Sequence, residues 1–254
     1  MKPTEISAQA VSMACRCYCG SMEPRGHEKY ANLARRGFLC NAIAGTAVAL
    51  AGATVIRARP ASAQSTLTPE AALKALMDGN QRYVAGQLRS LNEDLSILKA
   101  KTAEKQEPFA AVLSCADSRV PVELVFDQSI GQIFVVRVAG NVTTPEITAS
   151  LEYGVAVLGT RVLVVLGHGN CGAVKATIAG KAVPGQISVL YAPIRPAVNA
   201  ASGDLDAAID ANVRIQATLL SEASPIIAGA IKEGNLKVVP ARYDVMSGEV
   251  SLLV

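Results

Sequence analysis

The chain contains no tryptophan, only two histidines and only four phenylalanines among 254 residues. A core without indole rings must close on small and branched side chains. Half of the residues are hydrophobic, so packing falls to Ala, Val and Leu. An excess of one charge sign is missing outside the N-terminal quarter. Residues 1–63 carry eight Lys/Arg against three Asp/Glu, whereas 64–254 carry sixteen against eighteen. The overall charge of +3 is a property of the leader and gives no ground for a nucleic-acid partner. Metal-ligating residues are also scarce. After residue 63 the only cysteines are Cys115 and Cys171, and the only histidine is His168. A structural zinc site closed by four Cys or His ligands cannot be built from these. One disulfide is the plain alternative, and Asp117 and His168 beside the two cysteines weigh against it.

The leader reads as an address. Arg35-Arg36 introduces Gly37-Phe38-Leu39, and an uncharged, mildly apolar stretch follows to Ile56. Arg57 and Arg59 precede Ala61-Ser62-Ala63, a small-residue pattern fit for signal peptidase. The whole resembles a twin-arginine export signal, with residues 1–63 removed before Gln64 and the product delivered to the periplasm by the twin-arginine export machinery. A retained membrane anchor is the competing reading, because about twenty uncharged residues could span a bilayer. Met13 or Met22 could replace Met1 as the start, since the stretch before the arginines is long. The run CRCYCG at Cys15–Gly20 lacks the C-x₂-C spacing of zinc knuckles and, with His27, is read as a bystander.

The remainder, 64–254, suits one domain. Thr68-Pro69-Glu70 is a helix start, and the helix should run to about Val84 and stop at Gly86. A second helix is expected from Asn92 through Lys101. Both precede the first strand and could lie across a neighbouring subunit. Strands are expected at 109–115, 132–138, 161–167 and 236–242, with a short edge strand at 249–254. Helical patterns fall at Val122–Phe126, Pro145–Leu158, Ala173–Ala179, Asp206–Ser221 and Pro225–Glu233. Proline and glycine make 180–205 the most loop-like part. Strands alternating with helices predict an α/β fold with a mainly parallel sheet of four to five strands flanked by helices.

Two stretches carry the chemistry. FAAVLSCADSR, Phe109–Arg119, is an apolar strand that breaks into a turn offering Cys115, Asp117 and Arg119. RVLVVLGHGNC, Arg161–Cys171, repeats the plan with His168 and Cys171 after Gly167. Ligands gather at the carboxyl ends of strands in such sheets, so both ends should share one site. Cys115, His168 and Cys171 make a Cys₂His set for one zinc per chain, with a fourth position open to water or to Asp117. An open position argues for catalysis. Asp117 is placed to orient the water, and Arg119 to hold that carboxylate off the metal by a bidentate pair. A plain surface ion pair is the bland reading of those two. Gly172 opens a helix whose free amides would favour an anionic product beside the metal.

CADSR followed by HGNC resembles the β-class carbonic anhydrases, whose signature is C-x-D-S-R followed by H-x-x-C. The resemblance covers Thr68 to Val254. It implies Cys115, His168 and Cys171 as zinc ligands and Asp117 with Arg119 as the catalytic dyad, Asp117 also being the fourth ligand of the closed, inactive form. The implied reaction is reversible hydration of carbon dioxide to bicarbonate and a proton by zinc-hydroxide attack. Extension without gaps from these anchors implies substrate-pocket roles for Gln106, Phe134, Ala139 and Tyr153. It also implies a homodimer or higher even oligomer, in which Gln106 and Tyr153 could serve a partner's zinc. Ordinary core is the bland reading of Phe134 and Tyr153.

There are departures from the pattern. Arg137 is followed by Val138 where the family often has Asn, although Asn141 is kept. Val112 stands where the subgroup with an inhibitory bicarbonate site carries Trp, so the open form is expected near neutral pH. His168 leaves no histidine free to shuttle a proton. Hydrolysis of carbonyl sulfide or carbon disulfide on the same scaffold is the enzymatic rival. A bicarbonate sensor or a metal-buffering protein is the non-catalytic one. A nucleotide-binding reading fails, because Gly167-His168-Gly169 does not extend to G-x-G-x-x-G.

Overall fold

The computed structural model describes residues 65–92 and 95–253. The twin-arginine signal, its cleavage pattern, the anchor alternative, the CRCYCG run and His27 lie outside the described residues. Among the described residues no helix is long and apolar enough to cross a membrane.

Helix α1 (Pro69–Val84) starts where the cap predicts. The Thr68 hydroxyl accepts the Ala71 amide at 3.2 Å, and Pro69 fills the first helical position. Ala72 and Leu76 are wholly buried within their own chain. Gly79 lets the helix press onto the turn after residue 125, since a Cβ there would stand 1.8 Å from the Phe126 carbonyl oxygen. Helix α2 (Leu95–Thr102) buries no residue within its own chain. Asn92 does not open that helix. It ends a 3₁₀ turn, Ser90–Asn92, and the Ser90 amide is held by Asp127.

Among the described residues the sheet has five strands: β1 (Ala110–Ser114), β2 (Ile133–Arg137), β3 (Val162–His168), β4 (Lys237–Tyr243) and β5 (Val250–Leu252). Their order is β2-β1-β3-β4-β5, with β5 antiparallel and the other pairings parallel. Side chains alternate across the sheet. Ala110 and Val112 enter a core with Leu76, Phe126 and Val164. Ala111 and Leu113 enter the opposite core with Leu151, Val213 and Leu220. Burial on both faces explains why β1 and β3 read as unbroken apolar runs.

The connecting helices are α3 (Val122–Val125), α4 (Pro145–Ala156), α5 (Gly172–Ala179), α6 (Tyr191–Ala200), α7 (Leu205–Ala223) and α8 (Pro225–Lys232). Helix α6 corrects the loop expected over 180–205. Pro193 sits in its first turn, where an amide has no helical partner anyway. Pro196 lies inside the helix and forfeits one bond. Burial of Ile194 and Val198 against Val174 of α5 and Ile209 of α7 offsets that loss.

From β1 the chain leaves to β2 on one side and later returns to β3 on the other. The carboxyl ends of β1 and β3 thus flank the topological switch point, where a crevice opens in sheets of this kind.

Candidate metal centre

Cys115 follows the last residue of β1, His168 is the last residue of β3, and Cys171 caps α5. Their ligand atoms lie within 4.8 Å of one another, and all three residues are buried. His168 decides what the cluster can hold. Its Nδ1 lies 3.0 Å from the Gly169 carbonyl oxygen. A carbonyl only accepts, so the ring proton sits on Nδ1 and Nε2 presents a lone pair. Among the described residues that buried Nε2 has no hydrogen-bond partner. Leaving it so is costly, and a cation would satisfy it.

The sulfurs fit the same occupant. Cys115 is held toward thiolate chiefly by the Cys171 thiol, against burial, with help from the amides of Gly140 and Asp117. The Gly140 amide donates to Cys115 Sγ at 3.3 Å. Cys171 is pushed the other way by the neighbouring Cys115 and by burial. One proton between two buried sulfurs is what a soft dication would displace. Two sulfurs and an imidazole lone pair are the donor set zinc takes.

Asp117 stands beside this cluster, its Oδ2 3.8 Å from His168 Nε2. It is not gathered with the three donors, because Arg119 occupies both of its oxygens. Arg119 Nε donates to Oδ1 at 2.9 Å, Nη2 to Oδ2 at 2.8 Å, and the Arg119 amide to Oδ1 at 3.0 Å. This clamp holds the Asp117 carboxyl far below the usual carboxylate range, despite some burial. Arg119 Nη2 also reaches the Asn170 carbonyl at 3.3 Å and so links the turns after β1 and β3.

Sequence reasoning missed Arg137. At the end of β2 it pairs with Ser114 in register. Its Nε donates to the Cys115 carbonyl at 3.0 Å and its Nη2 to the Asp117 carbonyl at 2.7 Å. The available signal was an arginine closing an otherwise apolar strand, QIFVVRV.

The other expected site residues divide into two groups. Ala139 opens a short 3₁₀ turn, Ala139–Asn141, directly before the amide that bonds Cys115. Gly172 is exposed at the first position of α5 with nothing within 4 Å of an added Cβ. Cys171 makes no side-chain hydrogen bond to the start of this helix. Phe134 and Tyr153 lie together, ring centroids 6.3 Å apart. Tyr153 and Gln106 line one cavity of about 480 Å³ with Thr102 and Leu158. None of these three joins the metal-ligand cluster of its own chain.

Comparison with known proteins matches this arrangement to one family. The carbonic anhydrase family profile matches residues 110–250. A carbonic anhydrase of Mycolicibacterium smegmatis is 36% identical over 192 residues, covering 72% of this chain and 93% of that one. A carbonic anhydrase of Pseudomonas aeruginosa is 36% identical over 198 residues, covering 71% and 87%. Among solved structures, a β-carbonic anhydrase of Coccomyxa in complex with acetazolamide superposes with a TM-score of 0.57 at 28% identity, covering 71% of this chain and 86% of that one. A β-carbonic anhydrase of Sordaria macrospora, described as tetrameric, superposes with a TM-score of 0.58 at 25% identity, covering 63% and 87%.

Proposed function

We infer the function from one premise: the chain belongs to the β-class carbonic anhydrase family. It is a carbonic anhydrase, and its reaction is the reversible hydration of carbon dioxide. The observation that carries the chemistry is the unpartnered, buried His168 Nε2 facing two cysteine sulfurs. Cys115, His168 and Cys171 would hold one zinc ion per chain. Bound there, zinc supplies the Lewis acidity that makes water a nucleophile near neutral pH.

The chain's own residues supply orientation. Asp117, kept ionised by Arg119, accepts a hydrogen bond from the attacking water and turns its lone pair toward the carbon. Arg119 keeps both carboxylate oxygens engaged, so Asp117 remains an acceptor beside the donor set. Arg137 fixes the carbonyls of Cys115 and Asp117 and so sets how far that acceptor stands from the cluster. The open space before Gly172 leaves room for bicarbonate. His168 is the only histidine after residue 63, so the product proton passes to buffer, water or a tyrosine.

Gln106 and Tyr153 would complete the pocket of a second subunit in a homodimer. The exposed Leu95 and Ile97 of α2 support contact with a second copy. The leader supports twin-arginine export and a periplasmic enzyme, whose role would be to equilibrate carbon dioxide and bicarbonate outside the inner membrane. Recovery of uncleaved protein in the cytosol would sink that assignment.

The deciding experiment counts zinc per chain in the purified protein and follows acidification on mixing with dissolved carbon dioxide by stopped flow. One zinc per chain with rapid acidification is expected. Zinc without acceleration at any pH would turn the reading to carbonyl sulfide or carbon disulfide hydrolysis, or to a sensor.

A further inference from the structure

Helix α7 packs Ile209, Val213, Ala217 and Leu220 into the core. Two amides share this stripe, Asn212 and Gln216, one turn apart and essentially without solvent exposure. Buried amides destabilise a core unless their bonds are met, and leucine would fill such positions at less cost. Their hydrogen bonds show what they are for.

Asn212 Nδ2 donates to the Gly140 carbonyl at 2.9 Å. Gln216 Nε2 donates to Asn212 Oδ1 at 3.2 Å and to the Pro193 carbonyl at 3.2 Å. Gln216 Oε1 accepts the Thr143 amide at 2.8 Å and the Thr143 hydroxyl. The two side chains thus grip both ends of the segment from Gly140 to Thr143. On its other side Gly140 donates its amide to Cys115 Sγ at 3.3 Å. Gly140 has φ +76°, and an added Cβ would stand 2.7 Å from Ile194 Cδ1. One glycine is therefore held by α7 through its carbonyl, by α6 through van der Waals contact, and by a donor sulfur through its amide.

We propose that Asn212, backed by Gln216, is a positioning residue for the Cys115 donor. It fixes the Gly140 amide on Sγ and so sets the charge that sulfur can give a metal. Hydrogen bonds around metal ligands orient and tune them in this way. The inference rests on the zinc reading above. Without Asn212 the turn relaxes, the amide leaves the sulfur, and the metal is held less firmly.

The test uses Asn212→Leu, which removes the donor, and Asn212→Asp, which keeps the shape but turns an acceptor toward the Gly140 carbonyl. Leu220→Ala on the same helix controls for loosening of the core. Each purified protein is loaded with zinc, and transfer to the chelator 4-(2-pyridylazo)resorcinol is timed. Each is also loaded with cobalt(II), and the sulfur-to-cobalt charge-transfer band is recorded. Both Asn212 variants are expected to release zinc about tenfold faster, in line with the loss on removing an outer-shell partner, and to shift the cobalt band. Leu220→Ala should lower Tm while leaving the band where it is. Folded Asn212 variants with wild-type release and an unshifted band would overturn the proposal. If both fail to fold, Gln216→Met decides, since a wild-type band and release rate there would equally overturn it. Wild-type protein that takes up neither metal would overturn the zinc reading and this role with it.

Discussion

At the scale of single residues, the site turns on which partner holds Asp117. Arg119 gives that carboxylate two side-chain bonds and an amide, while His168 Nε2 stands 3.8 Å away. Asp117→Asn keeps the size of the side chain and removes the ionised acceptor. It is expected to retain one zinc per chain and to lose about 10²–10⁴-fold in turnover, the usual share of a positioned acid or base. Stopped-flow rates beside metal analysis check this, and an undiminished rate would remove Asp117 from the chemistry. The donors themselves were legible in the sequence because strand and turn place Cys115, His168 and Cys171 by chain position alone. Arg137 and Gly140 were not. Arg137 acts across a strand pairing, and Gly140 acts through its backbone amide, which carries no side-chain signature. The clustering of Gln106 with Tyr153 depends on tertiary packing between the segment after α2 and α4, and spacing does not encode it.

At the scale of elements, Asp127 fastens the α1–α2 connection to the end of α3. Its side chain is fully buried and accepts from Arg82 Nε, from the Arg89 and Ser90 amides, and from the Ser90 hydroxyl. Burial pushes this carboxyl up, but the bonds from Ser90, Arg82 and Arg89 outweigh it, and the net direction is down. A carboxyl depressed in the folded state adds stability above the ordinary aspartate value of about 3.9. That stability is lost as pH falls through the folded value. Asp127→Asn suits the local backbone, φ +46°, because Asn tolerates the left-handed region. It should cost about 1.5–3 kcal/mol at neutral pH. Its urea unfolding curves should converge with those of the wild type in acid, and a constant gap across pH would contradict the linkage. Helix α6 supplies a second prediction. Pro196 is exposed inside the helix, so Pro196→Ala gives up no packing and restores a backbone amide. A rise in Tm is expected, corresponding to about 1–2 kcal/mol once the looser unfolded chain is allowed for. The strands and the α1 start were legible from apolar runs and the Thr68-Pro69 cap. Helix α6 was not, because its prolines signal a break and only the burial of Ile194 and Val198 overrides them.

At the scale of the whole molecule, the leader and the metal centre bear on each other. The only cysteines after residue 63 are Cys115 and Cys171, and both belong to the proposed zinc site. A mature chain entering an oxidising compartment unfolded would offer these two thiols and no others to disulfide formation. Disulfide exchange would transfer two electrons to the oxidant, release two protons and join the two sulfurs, leaving no thiolate for the metal. On the proposed reading, export after folding would avoid this, because a zinc-loaded pair buried at the sheet's switch point would present no free thiol. The twin-arginine reading and the Cys₂His reading therefore support one another although they rest on separate stretches of the chain. Replacing residues 1–63 with a leader that threads unfolded chains should yield periplasmic protein with a Cys115–Cys171 disulfide, little zinc and little activity. Retaining the native leader should yield free thiols under denaturing alkylation after chelation, with one zinc per chain beforehand. Mass spectrometry of alkylated peptides distinguishes the two forms. Equal zinc content by both routes would mean that the cysteines capture the metal faster than they are oxidised, and the folded-export argument would fail.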